Sequence, residues 1–130
     1  MKKLLLLAAS LCCLAACSSS AAADSAADTV KRFYAAINDE AYDKAADCLY
    51  FDGKSVEADR KMMVEILSTY LGPELKKLGG VKVEILSEQV GENGEATVEF
   101  NMRNGSGQSG KETAKCVKDA AGQWKMRPAF

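Results

Sequence analysis

The feature that most constrains this sequence is a change of hydrophobic period at Gly79-Gly80. Before the two glycines, large apolar residues recur at the three- and four-residue spacing of an amphipathic helix. After them, apolar and polar residues alternate, as they do in a half-buried strand. Helices followed by strands that are joined by hairpin-length turns predict an α+β fold, with the helices packed on one face of an antiparallel sheet.

Three helices are predicted before the glycines. They cover residues 24–38, 41–49 and 56–71, and Gly72-Pro73 interrupts the third because proline cannot continue the backbone ladder. A short turn through Leu75 and Leu78 follows. The residues predicted to face inward are Val30, Phe33, Tyr34 and Ile37 in the first helix, Ala45, Ala46 and Leu49 in the second, and Met62, Met63, Ile66, Leu67 and Tyr70 in the third.

Four strands are predicted after the glycines. The first begins at Val81, and Leu86 and Val90 fall out of phase with its alternation, which predicts a bulge near residues 86–88. The remaining strands are predicted at residues 96–103, 111–118 and 124–126, separated by glycine-containing turns.

The first 17 residues, MKKLLLLAASLCCLAAC, are typical of an export signal. A basic start precedes an apolar run from Leu4 to Ala16, which is shorter than the about 20 residues that a bilayer span needs. The run ends in Leu14-Ala15-Ala16-Cys17, which resembles the lipobox of bacterial lipoproteins. Cys12 and Cys13 fit this pattern badly, because a large residue and a cysteine precede them. The alternative is an ordinary secreted signal peptide that is cut elsewhere.

The lipoprotein resemblance implies a domain organisation and a location. Residues 1–16 would be removed, Cys17 would carry a diacylglyceryl thioether and an acylated amine, and residues 17–24 would form a flexible lipidated tether. Residues 25–130 would form the folded domain. The partner is then a lipid bilayer of the cell envelope. Because Ser18 rather than an acid follows Cys17, we expect the periplasmic face of the outer membrane.

Charge and composition exclude several classes of function. The sequence has 17 Lys and Arg against 18 Asp and Glu and no His. A nucleic-acid binder needs a basic stripe, and the cations here are interspersed with acids. Without His, the chain supplies no His base and no His metal ligand. No metal site and no cofactor other than the Cys17 lipid are predicted, and no signature of catalysis is present.

Two segments carry a resemblance to a known fold family. The opening stretch TVKRFYAAINDEAYDKAADCL and the closing hairpin KCVKDAAGQWKM look like the cystatin-like cone of the nuclear transport factor 2 (NTF2) superfamily. Within that superfamily, the chain is similar to bacterial lipoproteins with domain of unknown function 4878. The resemblance covers nearly all of residues 25–130. It implies a strongly curved antiparallel sheet wrapped around the first helix, with a conical cavity at the open end.

Six residues of the domain are candidates for special roles. Cys48 and Cys116 are the two thiols left after processing at Cys17, and an oxidising envelope would allow them to form a disulfide. The alternative is that both are unpaired, buried, small apolar residues. The candidate lining of a pocket in the cone is aromatic, namely Tyr34, Tyr50, Phe100 and Trp124, and the alternative is that these side chains only pack in the core.

These observations leave three functional hypotheses. The leading one is a non-catalytic, membrane-anchored lipoprotein that binds a small apolar ligand in its cavity or another envelope protein on its sheet. The alternative is a cavity isomerase or hydrolase that uses an Asp or Glu with a Tyr. That enzyme would need a desolvated carboxylate within hydrogen-bond reach of a Tyr hydroxyl. The third is a homodimer formed through the exposed face of the sheet.

Overall fold

The computed structural model describes residues 25–128, which form four helices, one π-helical turn and a four-stranded sheet. All strand pairs are antiparallel, and the strand order across the sheet is β1-β2-β3-β4. This confirms the predicted α+β class. The bounds are α1 Ala26–Asn38, α2 Tyr42–Ala46, α3 Val56–Ile66, the π turn Leu67–Leu71, α4 Gly72–Lys77, β1 Val81–Val90, β2 Ala96–Asn104, β3 Ser109–Lys118 and β4 Trp124–Met126.

Helix α1 packs its apolar face on the inner face of the sheet. The Ser25 side chain caps the helix by accepting a hydrogen bond from the Asp28 amide at 3.1 Å. The predicted stripe is confirmed in part, because Val30, Phe33 and Ile37 are buried, whereas Tyr34 is half-buried. The main core joins this stripe to buried residues of α2, the segment after α2, the π turn and three strands, including Ala45, Leu49, Leu67, Val98, Phe100, Cys116 and Met126.

The predicted bulge is present in β1 and has a structural use. The register with β2 shifts between Ile85 and Ser87. After the shift, Glu88 lies opposite the buried Val98 and therefore on the helix side of the sheet. There its carboxylate accepts a hydrogen bond from the Ala27 amide at 3.0 Å. Amides in the first turn of a helix lack partners within the helix, so the bulge supplies a second cap to α1.

The predicted apolar face of the third helix is confirmed only in part. Leu67 is buried and Met63 and Ile66 are half-buried, whereas Met62 and Tyr70 are 58% and 67% exposed. Helix α3 is instead held to α2 by Arg60, whose guanidinium binds the Asp47 carboxylate at 2.8 and 2.9 Å and donates to a backbone carbonyl of α2. A charged contact therefore accompanies the partial apolar packing of this helix.

The predicted interruption at Gly72-Pro73 appears as a change of helix type. The chain continues from α3 through the π turn into α4, with Pro73 in the first turn of α4. Pro73 has no amide hydrogen for a carbonyl four residues earlier, so the ladder widens just before it. Gly72 lies against the ring of Tyr42, and a Cβ on Gly72 would come within 2.2 Å of the Tyr42 hydroxyl. This close approach fixes α4 beside α2.

The outer face of the sheet is covered by polar side chains that pair across the strands. Glu99 of β2 accepts a hydrogen bond from Ser87 of β1 at 3.1 Å and forms an ion pair with Lys111 of β3 at 3.4 Å. Lys115 donates to the Thr97 hydroxyl at 2.8 Å. Each such cross-strand pair stabilises a sheet by about 0.2–1 kcal/mol.

Candidate functional site

A cavity of about 590 Å³ lies where α1 ends and β1 begins. Segments within residues 37–40, 72–76, 79–82 and 103–107 line it, and we call it the end cavity. Its volume is within the range of small-ligand sites, about 300–1,000 Å³. Its walls come from α1, α4, the start of β1 and the β2–β3 loop, so four separate parts of the chain meet there.

Asn38 builds one wall by joining α1 to β1. Its side-chain amide donates to the Val81 carbonyl at 2.6 Å, and its side-chain oxygen accepts from the Val81 amide at 3.0 Å. Val81 is buried, so both of its backbone groups need a partner inside the protein. The Asn38 side chain is therefore structural.

Glycines form the floor of the end cavity. Gly79 and Gly80 have φ values of 83° and 84°, which glycine adopts without strain. Gly105 packs directly on this turn: a Cβ on Gly105 would lie 2.6 Å from the Gly79 carbonyl oxygen, and the Gly105 amide donates to Gly80 at 3.2 Å. These contacts bring bare backbone together and leave the space above it open.

The charged lining is mainly basic. Lys76, Lys82 and Arg103 face one acid, Glu40. Lys76 and Glu40 are 3.4 Å apart, but their side chains are 71% and 57% exposed. An exposed pair of this kind is worth little, because water screens it. The apolar part of the lining includes the buried Ile37 and the half-buried Leu75.

Two of the predicted pocket aromatics lie inside the fold. Phe100 is only 2% exposed. Tyr34 packs edge-on against Phe33 with ring centroids 4.9 Å apart, and its ring is 5.8 Å from that of Phe100. These contacts place Tyr34 and Phe100 in the packing between α1 and the sheet. Neither residue lines the end cavity.

The other two predicted aromatics lie elsewhere. The Arg127 guanidinium lies 5.6 Å from the centroid of the Tyr50 ring. The Lys118 ammonium lies 5.2 Å from the centroid of the Trp124 ring. Tyr50 lines a shallow groove of about 380 Å³ beside α3, whereas Trp124 lines a crevice of about 60 Å³. The four aromatics therefore do not line one pocket.

The two candidate cysteines are both buried and free. Strand β4 lies between them: Met126 is the register partner of Cys116 on one side and bonds the backbone of residues 48 and 50 on the other. Adjacent strands are about 4.8 Å apart, so the two backbones are separated by about 10 Å. A disulfide needs Cα atoms closer than about 7 Å. In the structure both cysteines are unpaired and buried, which is the alternative to the candidate disulfide.

Each thiol contacts a different backbone carbonyl. Cys48 donates to the Lys44 carbonyl at 3.5 Å, and Cys116 approaches the Ala26 carbonyl at 4.0 Å. Burial raises the pKa of Cys48. Burial, with a smaller effect from the Glu88 and Glu95 carboxylates, raises the pKa of Cys116 to about 12. Both groups are therefore neutral thiols at physiological pH, and thiolate is the reactive form.

The geometry that the cavity-enzyme alternative requires does not occur within residues 25–128. Every Asp and Glu there is at least partly exposed. No hydrogen bond in this range joins a tyrosine hydroxyl to a carboxylate, although Glu112 is close enough to act on Tyr34. Burial, followed by the charge of Glu112, raises the pKa of Tyr34 to about 12. Tyr34 therefore holds its proton.

The same residues contain neither a metal-binding cluster nor a membrane-spanning helix. No group of three or more Cys, Asp and Glu side chains in residues 25–128 is arranged to hold a metal ion. No helix in this part of the chain has the length and apolar character needed to cross a bilayer. The predicted signal peptide, lipidation site Cys17 and tether lie outside the described residues.

The end cavity was not predicted from the sequence. Lys82 and Arg103 fall on the polar side of two alternating strands, which is also where ordinary surface residues lie. The local signals are the change of period at Gly79-Gly80 and the glycine-containing turn between the second and third predicted strands. Their contact with each other depends on the fold.

Comparison with solved structures supports the architecture. An NTF2-like protein from Campylobacter jejuni, which its name assigns provisionally to the transpeptidases, superposes with a TM-score of 0.62 at 10% identity, covering 78% of this chain and 95% of its own. A cystatin-fold protein from Novosphingobium aromaticivorans gives a TM-score of 0.46 at 12% identity, covering 81% of this chain and 97% of its own.

An NTF2-like protein of unknown function from Cytophaga hutchinsonii gives a TM-score of 0.42 at 12% identity, covering 82% of this chain and 90% of its own. No protein-family model and no curated protein sequence matches the chain. Similarity to the Campylobacter structure at this low identity concerns fold alone. The helices and antiparallel sheet of residues 25–128 thus form an NTF2-like fold.

Proposed function

We propose that this chain is a non-catalytic, lipid-anchored module of the bacterial cell envelope that binds a small ligand in the end cavity. The observation that carries the proposal is the cavity of about 590 Å³ on an NTF2-like fold, a fold consistent with ligand binding. A non-catalytic role is supported by the partly exposed carboxylates and by the two buried, neutral thiols. Kinship with lipoproteins of domain of unknown function 4878 is part of the same proposal.

The activity in the name of the Campylobacter protein is not part of this proposal. Acyl transfer to an amine needs an activated nucleophile. The sequence has no His to activate one, and both cysteines in the described residues are buried.

The anchor is proposed from the sequence Leu14-Ala15-Ala16-Cys17. The domain then starts at Ser25, a few residues after the lipid, and α1 leads away from this point. A helix of 13 residues is about 20 Å long. The end cavity lies at the far end of α1.

Replacement of Cys17 by Ser tests the anchor. We expect Cys17→Ser to move the protein from the membrane fraction to the soluble fraction, because the acyl chains hold it there. Cys13→Ser is the matched control, since Cys13 does not fit the lipobox, and it should leave the protein on the membrane. Retention of Cys17→Ser on the membrane would contradict the anchor, and fractionation of outer and inner membranes tests the predicted outer-membrane location.

Native mass spectrometry of the protein extracted in mild detergent tests the binding role. We expect a small-molecule adduct in addition to the Cys17 lipid. A bare chain, or a chain that carries only a second protein, would argue against a small-ligand site and for an interaction module. The homodimer through the sheet stays a separate prediction, and a monomer in light scattering at high micromolar concentration would contradict it.

A further inference from the structure

The first unusual feature of the end cavity is a pair of like charges. Lys82 of β1 and Arg103 of β2 are register partners, so they lie directly opposite each other on the outer face. Both are exposed, and neither forms an ion pair or a side-chain hydrogen bond within residues 25–128. Like charges directly opposite in an antiparallel pair destabilise a sheet.

The neighbouring rows of the same face show the opposite pattern. In the next row, Asn101 donates to Glu84 at 3.5 Å. In the row after that, Ser87 donates to Glu99, which also pairs with a lysine of β3. These two rows match a donor with an acceptor, whereas the row at the rim of the cavity places two cations opposite each other with no acid from the described part of the chain bound to either. Local conflicts of this kind concentrate at functional sites.

Other cations surround this pair. Lys76 lines the same cavity, and it forms only a weak, exposed contact with Glu40. Lys82 and Arg103 also line a second depression of about 590 Å³ along β1, to which α1 contributes Lys31. The acid of that second depression is Glu84, which is bound to Asn101. The local balance of charge at the shared rim is positive.

The glycine backbone at the floor of the cavity leaves space for an anion but offers it few hydrogen-bond donors. The amides of Gly79, Gly80, Gly105 and Gly107 all donate to backbone carbonyls of the protein. Binding of a negative group must therefore come from the side chains of Lys82, Arg103 and Lys76. Arg offers a planar fork that matches a carboxylate or a phosphate, and Lys offers a point charge. Leu75 and Ile37 provide an apolar wall for the rest of the ligand.

From this juxtaposition we infer that the ligand of the end cavity is a small organic anion, whose carboxylate or phosphate group is bound by Lys82 and Arg103. The inference rests on the proposed function and names the ligand class for the same site. The sequence alone predicted an apolar ligand surrounded by aromatic side chains, and the inferred anion replaces that expectation. The bound anion relieves the repulsion between the two cations, so binding and stability are coupled.

Isothermal titration calorimetry of the full-length protein in a nonionic detergent tests the inference. The probes are inorganic phosphate and succinate, at an ionic strength held constant with chloride because salt screens exposed charges. We expect saturable binding of at least one probe to the unaltered protein. The double variant Lys82→Gln/Arg103→Gln should bind at least about 10-fold more weakly, equivalent to about 1.4 kcal/mol.

The matched control is Lys54→Gln/Lys61→Gln, which removes two exposed cations that do not line the end cavity. It should bind like the unaltered protein. Without ligand and at low salt, Lys82→Gln/Arg103→Gln should have a melting temperature equal to or above that of the control, because a repulsion has been removed. That measurement also shows that the variant is folded. Equal affinities of the two double variants, or no binding of either probe to the unaltered protein, would overturn the inference.

The source of the anion is tested by adding lipid to the same micelles. The anion is a lipid headgroup if phosphatidylglycerol, but not phosphatidylcholine, competes with the free anions and if this competition is lost when Lys82 and Arg103 are replaced. If neither lipid competes, the anion is a soluble molecule. Both results support the anion site. A neutral adduct in native mass spectrometry, together with no anion binding, would overturn this inference and leave the proposed binding function intact.

Discussion

The side chain of Asn38 takes the place of a missing strand beside Val81. Its amide group donates to the Val81 carbonyl at 2.6 Å and its oxygen accepts from the Val81 amide at 3.0 Å. A neighbouring β-strand would offer the same donor and acceptor to this edge residue. The last residue of α1 is thereby fixed to the first residue of β1, and the wall of the end cavity is set by this contact.

Replacing Asn38 by Ala should destabilise the protein by about 2 kcal/mol. Two hydrogen bonds are lost at about 1 kcal/mol each, and the backbone groups of the buried Val81 are left without their partner. Urea unfolding measures the change in the free energy of unfolding. Asn101→Ala is the control, because its bond to Glu84 is long and exposed, and it should cost less than about 0.5 kcal/mol. Equal losses in the two variants would contradict the role of Asn38.

Replacing Gly72 by Ala should also destabilise the fold, by about 1–3 kcal/mol. The new Cβ would lie within 2.6 Å of three atoms of the Tyr42 side chain, so α2 and α4 must separate. Thermal unfolding detects the loss. When the ring is absent, the clash is absent too. Gly72→Ala should therefore destabilise the Tyr42→Ala variant less than it destabilises the unaltered protein. Gly110→Ala, where a Cβ meets nothing within 4 Å, is the control. Strict additivity of the two substitutions would argue against the contact.

Cys48 and Cys116 should be recovered as free thiols. After denaturation without a reductant, peptide mapping with an alkylating reagent should find both residues fully modified, because β4 separates them. In the native protein at pH 8, both should react slowly, since burial raises the pKa of each thiol. A sample reduced before alkylation should give the same map. A peptide pair linked through Cys48 and Cys116 would show that the sequence-based disulfide is right.

The protein should lose stability as the pH rises from about 9 to about 12. The pKa of Cys116 is raised from 9.0 to about 12 in the folded state, so the folded protein keeps a proton that the unfolded chain has released. The stabilising effect is complete below pH 9 and disappears as the pH passes about 12. The free energy of unfolding should fall by up to about 1.4 kcal/mol per pH unit for such a group.

Tyr34 acts in the same direction, because its pKa rises from 10.0 to about 12. Melting temperatures measured between pH 8 and pH 11 test the combined effect. Cys116→Ala should be less stable at pH 8 but should show a shallower fall with pH. A curve for Cys116→Ala that runs parallel to that of the unaltered protein would mean that Cys116 does not contribute to the pH dependence.

Much of the fold could be predicted because each element carries its own period. Val30, Phe33 and Ile37 identify the buried face of α1, and Val98 and Phe100 identify that of β2. Periodicity along an element identifies the face that can be buried. It is not sufficient for Met62 and Tyr70, because an apolar face is buried only where another element covers it, and these two residues are exposed.

The sequence by itself determined the order of helices and strands, the bulge near Leu86, the turns at the glycines and the absence of His chemistry. Tertiary structure decided which distant residues meet. The register of β1 with β2 placed Lys82 opposite Arg103, β4 separated Cys48 from Cys116, and the packing of α1 took Tyr34 and Phe100 into the interior. The reason is physical: periodicity along a chain reports which face of an element is buried, whereas a site depends on register and packing between elements, which are set by contacts far apart in sequence.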